Sequence, residues 1–245
     1  LNNMDRQGLF IYGRDCKNVQ ERVQRLVVVP ETAAFTCAGL PESGNGAGME
    51  GEELAARLDG REFRIHRDRI SIRGRHNLYN AMAAVLASMR LGLSDEEIAA
   101  GLESFPQVEH RLESVAVKKG VAYINDSKAT NVDSAWYALD SLTGPVVWIA
   151  GGTDKGNDYS VLEDLVAQKV KVLIAMGADN QKLVKAFSGI CPVEDTHSLK
   201  EAMEQVRKYA AAGDTVLLSP CCASFDLFRN YEDRGRQFKE QVNQL

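Results

Sequence analysis

Cysteine is scarce and poorly spaced for cross-linking. The 245 residues hold five (Cys16, Cys37, Cys191, Cys221 and Cys222), an odd number with no C-x-x-C pair. That pattern argues against a disulfide framework and for a reducing, cytoplasmic setting. Long apolar runs are missing too: the longest nearly uncharged stretch, residues 78–89, is stopped by Arg90, well short of the roughly 20 residues a membrane-spanning helix needs. The histidines (His66, His76, His110 and His197) have no i, i+4 pairing and no cysteine neighbours, so they offer no pattern for an all-protein zinc site. No basic stripe breaks the mildly acidic balance, 29 Lys+Arg against 34 Asp+Glu for a net charge of −5. Nothing in that charge calls for nucleic acid or an anionic membrane. Residues 1–6 carry no basic-then-apolar signal pattern and open on Leu rather than Met, so the chain is expected to be a piece of something longer. What is present, 44% apolar and 26% charged residues, is the composition of one large or two modest globular domains.

Two zones differ in pattern. Up to about Arg75 the apolar residues are scattered, and this zone reads as a poor domain by itself. Residues 9–12 and 26–29 suggest short strands, residues 39–51, with Pro41 and several glycines, suggest a loop, and Phe63/Ile65 alternate across an Arg67-Asp68 turn with Ile70/Ile72 as a hairpin would. From Asn77 the period changes. Leu78, Ala81, Met82, Val85, Leu86 and Met89 recur at helical spacing, Gly92 suits a helix C-terminus, and Ser94-x-x-Glu97 is a capping box for a helix ending before Pro106. A domain boundary is expected near residues 105–108, giving domains 1–106 and 107–245.

Beyond it, residues 121–124, 146–150, 170–176 and 216–218 are short apolar runs separated by helical segments. Thr130-x-x-Asp133 and Ser198-x-x-Glu201 look like helix starts. Such runs are buried strands of a mostly parallel sheet, and the expected fold is α/β, doubly wound and Rossmann-like.

Among the motifs, Gly46-Ala47-Gly48-Met49-Glu50-Gly51 fits G-x-G-x-x-G but has no strand before it, and is read as loop. Gly151-Gly152-Thr153-Asp154-Lys155-Gly156 follows a buried strand, yet Asn157-Asp158 stand where a P-loop needs Lys and Ser/Thr. Residues 125–131, Asn-Asp-Ser-Lys-Ala-Thr-Asn, and 219–226 also leave strand ends, where open α/β sheets bind ligands. Between them the three loops carry Lys128, Lys155, Thr130 and Ser224, a set suited to a carboxylate or other anion. Cys221 and Cys222 are read as small buried hydrophobes rather than nucleophiles.

Taken together, His76-Asn77-Leu78-Tyr79-Asn80-Ala81, His110-Arg111, the 125–131 loop, the 151–156 loop and the closing Asn230-Tyr231-Glu232-Asp233-Arg234-Gly235 resemble the Mur ligases. The Asp126-Ser127-Lys128-Ala129-Thr130-Asn131 run narrows the resemblance to the branch that adds D-glutamate. It covers the chain in order from about Arg73 onward, and only loosely before Gly60. The resemblance implies a cytoplasmic, ATP- and magnesium-dependent ligase that joins D-glutamate to UDP-N-acetylmuramoyl-L-alanine through an acyl phosphate during peptidoglycan synthesis. It further implies that residues 1–106 are the distal remnant of a central Mur ligase ATPase domain and residues 107–245 the C-terminal, D-glutamate-binding domain.

Carried over position by position, Asn77 and Asn80, with His76 beside them, and Arg111 and Asp126 are implied nucleotide-binding residues. Lys128 is the implied catalytic residue, and Thr130, Lys155, Ser224, Phe225 and Tyr231 are implied to surround D-glutamate. No magnesium ligand and no phosphate-cradling loop is found, so the chain alone is expected to hold no cofactor, to act as a monomer, and neither to ligate nor to hydrolyse ATP. The alternative is an independent, non-catalytic α/β module that binds a nucleotide or carboxylate.

Overall fold

A computed structural model describes residues 4–5, 8–25, 31–42, 44–72 and 74–245. The strand expected at residues 26–29 lies outside them. The chain divides into two compact units, Leu1–Pro106 and Gln107–Leu245.

The first unit runs β1 (Leu9–Gly13), α1 (Lys17–Gln24), β2 (Glu31–Thr36), β3 (Gly46–Glu50), β4 (Glu53–Leu58), β5 (Arg61–His66), a 3-10 turn (Arg67–Arg69), α2 (Arg75–Arg90) and α3 (Asp95–Ser104). Its sheet has the order β1-β2-β3-β4-β5. The first three strands are parallel and the last three antiparallel. Leu54, Ala56, Phe63 and Ile65 of the sheet close a core with Met82, Val85 and Leu86 of α2 and Ile98 and Leu102 of α3. The zone that looks poorly patterned in sequence therefore owns a core. Gly92, at φ +80°, ends α2 as its position suggests, and Ser94 and Glu97 form the capping box of α3.

Two expectations fail here for identifiable reasons. Phe63 and Ile65 do belong to a hairpin, but their partner is β4, not residues 70–72. Asp59 (φ +52°) and Gly60 (φ +81°) make the tight turn, and Asp-Gly is a strong hairpin signal. Residues 67–69 coil into a 3-10 turn instead, and Ile70 is fully buried. The G-x-G-x-x-G segment is not a loop but strand β3. Its glycines answer a steric demand: a Cβ on Gly48 would sit 2.2 Å from the Gly39 carbonyl, and one on Gly46 2.5 Å from the Ala34 oxygen. They permit close backbone approach, not phosphate binding.

The second unit runs β6 (Glu113–Lys118), β7 (Val121–Asn125), α4 (Val132–Asp140), β8 (Val146–Gly151), a 3-10 turn (Ser160–Leu162), α5 (Glu163–Lys169), β9 (Val170–Met176), α6 (Gln181–Phe187), β10 (Val193–Thr196), α7 (Leu199–Tyr209), β11 (Thr215–Cys221) and α8 (Tyr231–Asn243). The sheet order is β10-β9-β8-β11-β7-β6, all parallel except β6. Period-2 alternation feeds two cores. Trp148, Ala150, Leu173 and Leu217 join Leu139, Val166 and Phe187 in one, while Val147, Ile149, Ile174 and Val216 join Met203, Val206 and Phe238 in the other. Helices thus cover both faces, and the sheet is doubly wound. The α4 cap falls one residue later than Thr130: Asn131 accepts the Ser134 amide at 2.8 Å.

The chain leaves β7, builds β8, β9 and β10 outward, then returns to place β11 between β7 and β8. That insertion is the switch point of the sheet, and it forces the loops after β7, β8 and β11 to be neighbours.

Steric control by Gly48 is testable. Gly48→Ala drives a Cβ into backbone that cannot rotate away, and is expected to destabilise the first unit by about 2 kcal/mol or more. Gly101→Ala, in open space within α3, should be neutral or stabilising by up to about 1 kcal/mol. Urea unfolding of both variants checks the pair, and equal midpoints would contradict the close approach.

Candidate functional site

At the end of β7, Asn125 and Asp126 are buried and heavily bonded. The Asp126 amide donates to the Leu218 carbonyl at 2.8 Å, which fixes the loop to β11. Its carboxyl accepts the Ser219 hydroxyl at 2.9 Å and the Leu112 amide at 3.2 Å. Asn125 donates through Nδ2 to His110 Nδ1 and to Glu113 Oε2, both at 2.9 Å, and its Oδ1 accepts the Ser127 amide. His110 has φ +65° and is buried, and its carbonyl accepts the Lys128 amide at 3.1 Å. Lys128 reaches Tyr231, donating to its hydroxyl at 3.1 Å with Nζ 5.0 Å from the ring centre. Tyr231 in turn accepts the Ser127 hydroxyl on its carbonyl at 2.8 Å.

The other two loops are tied in by backbone. Thr153 and Ala223 exchange amide–carbonyl bonds of 2.8 and 3.2 Å, which joins the loop after β8 to the loop after β11. Gly151 (φ +129°) and Gly152 (φ +127°) are required there, since a Cβ on Gly152 would stand 2.2 Å from the Ala223 oxygen. Arg234 of α8, only 1% exposed, spans the β7 and β11 loops. Its guanidinium donates to the Ser127 hydroxyl (3.0 Å), the Ser127 carbonyl (2.9 Å) and the Cys222 carbonyl (3.2 Å).

Electrostatics follow from burial. Asp126 is 7% exposed, and desolvation pushes its pKa from 3.8 up to about 7 despite the Ser219 and Leu112 bonds and the nearby Arg111 charge. Burial also lowers Arg234 to about 10 and pulls His110 below the ordinary histidine value, while the Cys221 and Cys222 thiols are pushed up. Neither cysteine is a thiolate nucleophile under these conditions. Glu109, His110 and Glu113 come close enough to suggest a metal cluster. Lys239, however, already donates to Glu109 and, at 2.9 Å, to Glu113, and the Asn125 amide engages His110 Nδ1. Lys239 thus ties α8 to the loop before β6 and to the first residue of that strand.

Of the residues singled out in sequence, the second unit gathers Asp126, Lys128, Thr130, Ser224 and Tyr231 at its strand ends. Thr130 is half-buried, its amide bonded to the Lys128 carbonyl, and Ser224 is buried. Arg111 and Lys155 are exposed on flanking loops, and Phe225 is 71% exposed. Asn77 and Asn80 are not part of this gathering. They lie in the first turns of α2 in the first unit, with Asn80 Nδ2 donating to Asn77 Oδ1 at 3.4 Å.

Asn125 and Arg234 carry no role implied by the family resemblance, although both stand inside the motifs that bear it. The one available signal for Arg234 was its place beside Gly235 in an otherwise polar helix. Gly235 is glycine because a Cβ there would meet His110 Nδ1 at 2.2 Å.

Comparison with known proteins fits this geometry. Residues 110–222 match the family model described as Mur ligase, glutamate ligase domain. UDP-N-acetylmuramoylalanine–D-glutamate ligase of Christiangramia forsetii is 44% identical over 244 residues, which is 99% of this chain and 54% of that protein. The chain belongs to the Mur ligase family. A ligase of the same name from Bacteroides fragilis is 41% identical over 99% of the chain. The chain spans about half the length of these curated relatives. Among solved structures, Acinetobacter baumannii MurF (TM-score 0.64, 19% identity, 89% of this chain and 49% of that one) has the same fold. So does Mycobacterium tuberculosis folylpolyglutamate synthase (TM-score 0.67, 13% identity, 94% of this chain and 55% of that one).

Within this Mur ligase chain, Asp126 makes stability depend on pH. Between pH 3.8 and about 7 the folded carboxyl keeps its proton while the unfolded one has lost it. The folded state then binds more protons, so stability is lost as pH rises through that window. Asp126→Asn removes this loss and is expected to exceed wild type at pH 8 by on the order of 2–4 kcal/mol, with little difference at pH 4. Urea titrations at the two pH values check it, and an Asn variant less stable than wild type at pH 8 would contradict a carboxyl whose ionisation is disfavoured by burial.

Proposed function

We propose that this chain supplies the D-glutamate-positioning part of an ATP-dependent amide ligase acting on UDP-N-acetylmuramoyl-L-alanine in cytoplasmic peptidoglycan synthesis. The observation that supports the proposal is the pairing of Lys128, on the loop after β7, with Tyr231, on a sheet whose switch point makes the loops after β7, β8 and β11 neighbours, in a chain 44% identical over 99% of its length to a relative bearing that activity's name. Residues 1–106 are assigned to the ATP-binding domain of such a ligase and residues 107–245 to its glutamate-binding domain.

In the reaction, ATP phosphorylates the alanyl carboxylate. The D-glutamate amine then attacks the acyl phosphate, and phosphate and ADP leave. This chain contributes binding and orientation. D-glutamate brings two carboxylates and an amine, so its site needs cations and hydroxyl donors held still. Lys128 is the catalytic cation, already steered by the Tyr231 hydroxyl and ring. Lys155 supplies a second positive charge, and Thr130, Ser224 and the backbone around Phe225 supply donors. Asp126 and the neighbouring Arg111 are assigned to the nucleotide's ribose and phosphates.

The residues fit the periphery of ATP but not its phosphate cradle, since the G-x-G-x-x-G match is strand β3. Magnesium does not fit the acidic cluster among the described residues: Lys239 already bonds Glu109 and Glu113, and the Asn125 amide engages His110 Nδ1 and Glu113 Oε2. The site's work is entropic and electrostatic, and the ligase is assigned as a monomer.

Nuclear magnetic resonance titration tests the proposal. D-glutamate is expected to shift the amides of residues 128–130, 155–156 and 224–225 in the 245-residue chain, and L-glutamate is not. Losing one charged hydrogen-bonding partner costs about 1.5–3 kcal/mol, so Lys155→Ala should weaken D-glutamate binding at least about tenfold. Shifts produced equally by both enantiomers, or by nucleotide alone, would favour a general anion-binding module instead.

A further inference from the structure

The loop that carries Lys155 is held by an assembly outside the implied glutamate contacts. Asp154 folds the loop on itself, its Oδ1 accepting the amides of Gly156 at 2.6 Å and Asn157 at 3.0 Å. Its Oδ2 accepts the Tyr159 hydroxyl at 2.7 Å, and that hydroxyl lies 3.2 Å from Cys222 Sγ on the β11 loop. Asn157 adds a second tie to β11 by donating to the Cys221 carbonyl at 3.1 Å. Lys182, from α6, closes the assembly. Its ammonium donates to Asp154 Oδ1 at 3.2 Å and to the Asn157 carbonyl at 2.5 Å, and lies 5.6 Å from the Tyr159 ring centre.

We infer that Lys182 is a positioning residue: by holding Asp154 and the Asn157 carbonyl it fixes the backbone on both sides of Lys155, and so sets where the loop presents its charge. The inference rests on the D-glutamate reading for its functional consequence, but not for the tether itself. Several observations separate it from ordinary surface pairing. The ammonium bonds two residues of one loop at once and caps an aromatic face, so it restrains backbone rather than a lone side chain. Asp154 is partly shielded, and although that burial by itself would raise its pKa, the Tyr159 hydroxyl, the two amides and Lys182 together hold it below the usual carboxylate value. It is therefore an anion that needs its cation. Among the described residues no packing restrains the loop at its tip, where Gly156 stands at φ +87° with open space around it, so side-chain bonds hold it.

Lys182 is 53% exposed, so its loss should leave global stability nearly unchanged while loosening the loop. The test uses Lys182→Met and Lys182→Arg in the 245-residue chain, with amide hydrogen exchange at Gly156 and Asn157 and D-glutamate titration followed by amide shifts. Because a half-exposed ion pair is screened, exchange at both amides is expected to rise about fivefold in the Met variant. D-glutamate affinity should fall by about the same factor, and Arg should restore both to within about twofold. Unchanged exchange in Lys182→Met overturns the tether. Faster exchange with unchanged D-glutamate affinity overturns the positioning role. A wild-type chain that gives no D-glutamate response defeats the functional reading instead, and exchange still decides the tether.

Discussion

The buried guanidinium of Arg234 is the interaction on which the site depends. Strand order alone makes the loops after β7 and β11 neighbours, but loops carry unpaired carbonyls, and buried carbonyls must be satisfied. Arg234 supplies that satisfaction from inside, bonding the Ser127 and Cys222 carbonyls together with the Ser127 hydroxyl. The charge is costly to bury, which is why its pKa falls to about 10, and its donors are spent on the site's own backbone rather than on a carboxylate. Helix α8 is thereby pinned beneath the loops, and the same helix delivers Tyr231 to Lys128.

Around this clamp, strain and burial concentrate where the chemistry is proposed. His110 and Cys221 are both buried with φ above +60°, conformations that L residues adopt only when their surroundings impose them. In each case the surroundings are visible. His110 is wedged between Gly235 and Asn125, and Cys221 lies where β11 bends between β8 and the Asn157 side chain. Asp126, pushed toward neutrality, adds an electrostatic cost to the same region. These costs are met by the two apolar cores on either face of the sheet, one of which includes Cys221 itself.

Two kinds of lysine emerge at the strand ends. Lys128 is half-buried and oriented by an aromatic ring and a hydroxyl, so its position is set by packing. Lys155 is exposed on a glycine-flanked loop, and its position is set at a distance by Asp154, Tyr159 and Lys182. The first arrangement resists displacement. The second leaves the charge on an exposed loop whose backbone is held by side-chain bonds on either side of it.

The doubly wound sheet was legible in the residues alone, since four of its six strands are buried apolar runs between helix starts, local signals that patterning expresses directly. So was the family, because the loops between those runs keep their residue order. Less was legible in the first unit. Glycines at positions 46 and 48 signal a loop in isolation, and only the approach of residues 34 and 39–40 makes them part of a strand. The Asp59-Gly60 turn was legible but masked by the stronger-looking alternation on its far side. Asn125, Arg234 and Lys182 could not be ranked from sequence, since a buried arginine and a surface lysine are written with the same polar spacing as any solvated helix face. Tertiary structure decided their roles by placing β11 between β7 and β8, which brings carbonyls distant in sequence within reach of one guanidinium, and a lysine on α6 within reach of the loop after β8.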